Sequence, residues 1–296
     1  MSESNETVKK SINIFAIIKS ILGFIQNYFK ALIFLLILYI IFIVPLQQTS
    51  NDSNLMKINL KGAIVDSDDI LKSINFAYNN ENIKGVLLVV DSPGGSVSPS
   101  LEISMAIKRL KDKKPVVAYA AGTMASGSYY ASAHANYIVA NPGSVVGSIG
   151  VIMQAPNIEE LAKKIGISEQ VISAGDYKEA GTFMRKWTKK ERDSLQELVD
   201  DIYKLFVDDI AEARGLDRNN TNDFANAKVF IASKAQKAGL IDEVGSIIDA
   251  QNVLVKLSGV LEPVWKEPDL FDKLAKKLAI QTKEQLSSLF YDIKMY

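Results

Sequence analysis

The run IKGVLLVV, Ile83 to Val90, sets the tightest limit on the fold. It is apolar and rich in β-branched residues, with no polar alternation. A strand of that kind must be covered on both faces. It stops in DSPGGSVSPS, a turn by its Pro and Gly content. Before it, KINLKGAIV reads as a strand and DDILKSINFAYNN as a helix with an acidic start. After it, LEISMAIKRLKDKK reads as an amphipathic helix and PVVAYA as a short strand. NYIVANPGSVVGSIGVI gives two more short strands around a Pro-Gly turn. A long helix begins near Thr188 and stops near Gly215. VFIASKAQKAGLIDEVGS then reads as a strand or turn, a short helix and a Gly-stopped end. Strands that alternate with helices predict an α/β class with a largely parallel sheet. Repeated strand-turn-helix units with short strands fit a layered spiral better than a dinucleotide-binding fold. No G-x-G-x-x-G opens a helix, so no dinucleotide cofactor is expected.

The chain has 296 residues, 48% of them hydrophobic, enough for one medium domain with appendages. Its 34 basic and 34 acidic residues balance, so no nucleic-acid footprint is visible. Without cysteine there are no disulfides, thiolate metal sites or cysteine nucleophile. A single histidine excludes a multi-histidine metal centre.

The stretch ALIFLLILYIIFIVPL, Ala31 to Leu46, carries no charge. As a helix it reaches roughly 24 Å, and Tyr28, Phe29 and a snorkelling Lys30 extend it toward a ~30 Å hydrocarbon core. A span over 28–46 is expected, uncleaved because QQTSNDSN offers no small-x-small site. Lys9, Lys10, Lys19 and Lys30 precede it, and no basic residue follows until Lys57. The N-terminus is then expected in the cytoplasm and the rest outside. The apolar stretch before the span, interrupted by Lys19, Gln26 and Asn27, reads as an interfacial helix. The expected layout is 1–27 cytoplasmic or interfacial, 28–46 anchor, 47–56 linker, 57–260 folded domain and 261–296 amphipathic tail.

AGTMASGSYYASAHANYIV places Ser126 in a small-residue turn between an apolar strand and a helix-like stretch. A serine there is a nucleophile only if a base takes its proton. His134 lies eight residues on along the same expected helix, about 12 Å away, and is expected to be structural. No Ser-His-Asp triad can be built within the chain, which leaves a Ser-Lys pair. A lysine serves as base when burial or a nearby cation favours its neutral form. Most lysines sit in solvated charge runs. Lys178, in the Gly-flanked loop SAGDYKEAG, differs from them, but local sequence alone selects it weakly. Acyl transfer also needs an oxyanion hole. The N–H of Gly127 is one natural donor, and Gly94 or Gly95 another, since no side chain blocks their backbone.

DSPGGSV, GTMASGSYY, GSVVGSIGVIM, SAGDYKEAG and AQKAGLIDEVGS, in that order, resemble the signal peptide peptidase A family. These are membrane-anchored bacterial serine peptidases of the Clp/crotonase fold. The resemblance covers about residues 57–260 and the anchor. It implies Ser126 as nucleophile, Lys178 as base, Ser148 as the residue that orients the lysine, and Gly95 and Gly127 as oxyanion donors. It implies a homo-oligomeric ring in which the lysine can come from a neighbouring subunit. Two positions depart from the pattern. Ser128 replaces a glycine, which is expected to narrow the backbone approach. Ala227 and Lys228 replace a Gly-Arg pair.

The expected function is a membrane-anchored Ser-Lys endopeptidase with no cofactor and no metal. Its partners are membrane lipid and apolar peptides such as signal peptide remnants. It would sit in the inner membrane of a bacterium with its peptidase domain outside the cytoplasm. A non-catalytic oligomeric scaffold and an acyl-CoA-binding crotonase-like enzyme are the alternatives.

Overall fold

The computed structural model describes residues 14–39 and 53–266. The chain divides into two compact units, Met1–Asn51 and Asp52–Tyr296. In the first, helix α1 (Ile14–Leu38) runs unbroken through Gln26, Asn27 and Lys30. The expected interfacial helix and the start of the expected span are therefore one helix. Phe24, Phe29, Phe34 and Leu35 on it are exposed. Among the described residues no helix is long and apolar enough to cross a membrane. The expected span continues to Leu46, and its part from residue 40 onward lies outside the described residues.

The second unit runs β1 (Leu55–Lys61), α2 (Asp68–Asn79), β2 (Gly85–Ser92), α3 (Val97–Lys111), β3 (Val116–Ala125) and α4 (Gly127–Ser132). Then come β4 (Tyr137–Ala140), β5 (Val145–Gly147), α5 (Glu159–Lys164), α6 (Lys189–Arg214) and α7 (Thr221–Phe224). It ends with β6 (Val229–Ile231), α8 (Ala232–Lys237), β7 (Glu243–Val244) and α9 (Ile247–Ser258). Among the described residues these strands form one seven-stranded sheet, ordered β1-β2-β3-β4-β7. All pairs on that path are parallel. β5 adds to β3 in parallel, and β6 adds to β5 antiparallel.

The apolar run in β2 shows why the sheet is covered twice. Val86, Leu88 and Val90 enter a core cluster shared with α2, α3, α4 and α6. Leu87 and Val89 point the other way, into a cluster closed by Ala250 and Leu254 of α9. The period-2 geometry of a strand thus splits one continuous apolar run between two faces. α9 lies so close that a Cβ on Gly85 would stand 2.9 Å from Leu254 Cδ1. The sequence reading has no helix at α9. Its start is fixed by a capping box in which Ser246 and Asp249 cap each other.

β3 is longer than PVVAYA predicts, because it changes partners midway. It pairs with β4 from Val117 to Ala120 and with β5 from Thr123 to Ala125. On its other side the register with β2 shifts, from Val90 opposite Ala120 to Ser92 opposite Met124. The Asp91 carboxylate fills the gap and accepts the Thr123 N–H at 3.0 Å. A Cβ on Gly122 would lie 2.5 Å from that oxygen, so a side chain there would displace the Asp91 carboxylate from the bulge.

On α3, Ser104 is buried and its hydroxyl has no partner among the described residues. Ser104→Ala removes an unpaired polar group and raises helix propensity. It is expected to stabilise the domain by about 1 kcal/mol, read as a rise in melting temperature.

Candidate active site

Ser126 sits where β3 ends and α4 begins, with φ 54° and ψ −127°. A non-glycine residue in this region carries strain of about 1–3 kcal/mol. The turn is held by its backbone: Ser126 N–H donates to Gly147 C=O at 2.8 Å, and Tyr130 N–H to Ser126 C=O at 3.0 Å. A sharp strand-to-helix turn of this kind lifts a serine hydroxyl clear of the sheet.

The Gly94–Gly95 turn packs directly on this elbow. A Cβ on Gly94 would lie 2.6 Å from Gly127 N and 2.9 Å from Ser126 Cβ. A Cβ on Gly127 would meet the Ser100 hydroxyl at 2.2 Å and stand 3.4 Å from Gly95 N. Gly95 also bridges in parallel to Ile64. In that bridge Ile64 N–H donates to Gly94 C=O and Ser96 N–H to Ile64 C=O. Parallel pairing then turns the N–H of Gly95 itself away from Ile64. Gly127 is the first residue of α4, so its N–H has no intrahelical acceptor. The structure thus brings Ser126, Gly95 and Gly127 together.

These three residues edge a cavity of about 530 Å³, part of it open to solvent. Its walls include Val97 and Leu101 of α3, Tyr130 of α4, Ile152, and Ile202 and Phe206 of α6. Tyr130 stacks on Phe206 with ring centroids 4.5 Å apart. An apolar side chain fits such a pocket, with its backbone carbonyl at Ser126.

Ser148 follows the carbonyl that holds Ser126 and is itself at φ 52°. Two serines with left-handed backbone therefore end adjacent strands side by side. Ser148 N–H donates to Lys228 C=O at 2.7 Å, and Ala227 N–H donates to Ile149 C=O at 2.8 Å. Residues 227 and 228, which depart from the family pattern, thus buttress Ser148 through their backbone. Ala227 sits at φ 55°. A glycine is free of strain there.

Lys178 is not among the residues that line the cavity. It is exposed on the loop between α5 and α6. The short α5 precedes this loop, and residues 168–174 lack regular structure. The loop is tied at its far end. Arg185 bridges Glu179, beside Lys178, at 2.8 Å and Glu191 of α6 at 2.7 Å. Glu191 also closes a capping box with Thr188 at the start of α6.

His134 lies beyond the end of α4, not on the same helix as Ser126. It is 3% exposed, and its Nε2 lies 3.7 Å from an Asp209 carboxylate oxygen that also accepts the Tyr130 hydroxyl. Burial pushes its pKa down, outweighing Asp209. His134 shares that Asp209 oxygen with Tyr130, which lines the cavity. Ser128, expected to crowd the backbone, does not: it is fully buried, with its hydroxyl turned back toward β2 and β3.

Two measurements test this framework. The hydrogen bonds from Arg185 and then Thr188 hold the Glu191 carboxyl at about 2, below its ordinary 4.5. The folded state then binds this proton less readily than the unfolded state. The stabilisation is whole above about pH 4.5 and lost as the pH falls toward about 2. Melting temperature should therefore fall more steeply over this window in the wild type than in Glu191→Gln. Ala227→Gly relieves a left-handed penalty of ~1–2 kcal/mol and adds ~0.4–1 kcal/mol of unfolded-state entropy. Denaturant titration should show a net gain of roughly 0.5–1 kcal/mol.

Comparison with known proteins bears on this geometry. A putative protease of Methanocaldococcus jannaschii is 45% identical over 184 residues, 62% of this chain and 59% of its own length. A putative protease of Synechocystis is 35% identical over 227 residues, 76% of this chain and 81% of its own. A putative signal peptide peptidase of Enterococcus faecium is 30% identical, over 71% of this chain and 65% of its own. The chain thus spans less than two thirds of two of these three relatives. Among solved structures, a mutant of the 1510-N membrane-bound stomatin-specific protease aligns with a TM-score of 0.52 at 16% identity. That match covers 74% of this chain and all of the other, and it shows a shared fold. The model of Peptidase family S49 matches residues 108–261, just over half of the 296 residues. The chain belongs to peptidase family S49.

Proposed function

We propose that this protein is a membrane-anchored serine endopeptidase that works through a Ser126–Lys178 dyad. The observation that carries the reading is the strained Ser126 elbow beside the Gly95 and Gly127 backbones, at the mouth of an apolar cavity. Ser126 Oγ attacks a peptide carbonyl while neutral Lys178 takes its proton. The N–H groups of Gly95 and Gly127 bind the tetrahedral oxyanion, each worth about 10²–10³-fold in rate by analogy with other oxyanion donors. The lysine then protonates the leaving amine. It next activates the water that hydrolyses the acyl-enzyme and returns the proton to Ser126. Ser148, beside Ser126, orients the lysine. The chemistry requires no cofactor.

Lys178 reaches the elbow from a second copy of the chain. Its exposure on a tethered loop, away from the cavity lining, supports that arrangement. The copies form a ring of Clp/crotonase-like domains. The corner where β3 exchanges β4 for β5 supports the spiral layering of that fold.

The cavity walls favour an apolar residue on the acyl side of the cleaved bond. Signal peptide remnants and other apolar segments near a membrane are substrates of that kind. The exposed apolar surface of α1 and the charge-free run to Leu46 support an anchor in the inner membrane. The lysines before it support a cytoplasmic N-terminus and an extracytoplasmic peptidase domain.

The test is cleavage of a fluorogenic apolar peptide by the full chain in detergent, with fluorophosphonate labelling in parallel. Ser126→Ala should abolish both. Lys178→Ala and Lys178→Arg should each lose at least about 10²–10⁴-fold in kcat/KM, since neither can accept the proton. His134→Ala should leave kcat within a few fold. Mixing Ser126→Ala with Lys178→Ala chains should restore activity, because each supplies what the other lacks. Full activity in Ser126→Ala would sink the assignment of Ser126 as nucleophile, and absence of both cleavage and labelling in the wild type would favour a scaffold. Absence of rescue on mixing would confine the lysine to its own subunit.

A further inference from the structure

We infer that Ser128 is a positioning residue: its hydroxyl braces the last rung of the β2–β3 ladder and so fixes Ser126 against Gly95. The inference rests on the reading of Ser126 as the nucleophile. Ser92 stands opposite Met124 in this ladder, where the ladder resumes after the bulge at Asp91. In parallel register the Ala125 N–H is the donor that faces the Ser92 carbonyl. The residue after β2 is Pro93, which has no N–H to continue the ladder. The nucleophile turn therefore hangs on the final rung of β2.

Ser128 reinforces that rung from inside. Its Oγ accepts the Ala125 N–H at 2.9 Å. Its one proton faces the Ser92 carbonyl at 2.6 Å, with the Ala125 carbonyl farther off at 2.9 Å. The residue is fully buried, as is Ser92. Ser92 in turn fixes the oxyanion turn, since its own hydroxyl accepts the Gly94 N–H at 3.2 Å. One hydroxyl thus joins three pieces: the end of β3 that carries Ser126, the start of α4, and the strand end that leads to Gly95. A displacement of this joint moves the nucleophile relative to an oxyanion donor, an effect felt in the chemical step more than in binding.

The side chain at 128 decides what can occupy this rung. Serine fills it with its own hydroxyl. Glycine leaves a small polar space that one water can enter, bridging the same two groups almost as well as a hydroxyl. Alanine places a methyl group there, which excludes the water and bridges nothing. Helix propensity alone ranks the two replacements the other way, alanine above glycine. The order of the two variants therefore separates a positioning role from a packing role.

The experiment measures kcat, KM, the fluorophosphonate labelling rate and melting temperature for full-length Ser128→Gly and Ser128→Ala in detergent. Ser126→Ala serves as the reference for background. Ser128→Gly should stay within about 3-fold of wild type, with a water in place of the hydroxyl. Ser128→Ala should lose roughly 5–30-fold in kcat and in labelling rate, with KM changed less. Alanine equal to or faster than glycine in kcat overturns the inference, as does a loss confined to KM or to melting temperature. Should Ser128→Ala fail to fold, Ser128→Cys replaces it, since a thiol is only moderately larger and hydrogen-bonds weakly. A loss of 5-fold or more in its kcat supports the inference, and wild-type kcat overturns it. Activity that survives in Ser126→Ala refutes the nucleophile assignment instead, a result distinct from any ordering of the Ser128 variants.

Discussion

The hydrogen bond from Ser126 N–H to Gly147 C=O is the joint on which the site is built. It exists because β3 releases β4 at Ala120 and takes up β5 at Thr123. A strand that kept one neighbour would run on with alternating side chains, and Ser126 would be one more residue on a sheet face. The exchange ends regular pairing at Ala125, and the chain turns up into α4. The turn costs strain at Ser126, since φ there is 54°. That cost is offset by the backbone bonds around it. Gly147 holds the elbow on the β5 side, and Asp91 holds the bulge on the β2 side.

Glycine appears where two backbones must nearly touch. At Gly95 a Cβ would lie 2.1 Å from the Ile64 carbonyl oxygen, a distance no relaxation can accommodate. Gly94 is closed in by the Ser126–Gly127 backbone, and Gly127 by the Ser100 side chain of α3. The same absence of side chains that allows this approach leaves two amide groups bare beside a serine. Packing and chemistry have one cause here, so substitution at these positions would not separate them. Ser128 and Asp91 act one step back from the chemistry, through contacts that can be altered without closing the gap between the turns.

Much of this was legible in the sequence because it is local. The β2 run, the DSPGG turn, the small-residue turn at Ser126 and the Thr188 start of α6 each announce themselves within a few residues. What the sequence did not reveal depends on partners far along the chain. β3 reads as ending near Ala120 because Gly122 and Thr123 look like turn residues, and only β5 makes them a strand. α9 carries local marks of a helix in Ser246, Asp249 and the Gly259 stop, but its buried side, Ala250 and Leu254, is defined only by the distant β2 and β3 strands. His134 reads as part of the helix of Ser126 because nothing local ends α4 at Ser132. Ser128 reads as an intrusion on a glycine site. The direction of its hydroxyl depends on Ser92, 36 residues earlier.

The placement of the two proposed catalytic side chains follows opposite physical demands. A nucleophile must be held to a fraction of an ångström, and Ser126 stands on a sheet covered on both faces. A lysine base must lose its proton, and removal from water is what favours the neutral amine. In one copy of the chain Lys178 is exposed, on a loop that also exposes Ile172 and Phe183. On the proposed reading a second copy covers these apolar side chains and takes the amine out of water in the same step. The Arg185 bridge from Glu179 to Glu191 fixes the loop to the rigid start of α6, so that the amine arrives in a set orientation. On that reading burial, orientation and delivery of the base have a single origin: a lone chain holds the proposed nucleophile with Lys178 exposed, and assembly supplies the proton acceptor.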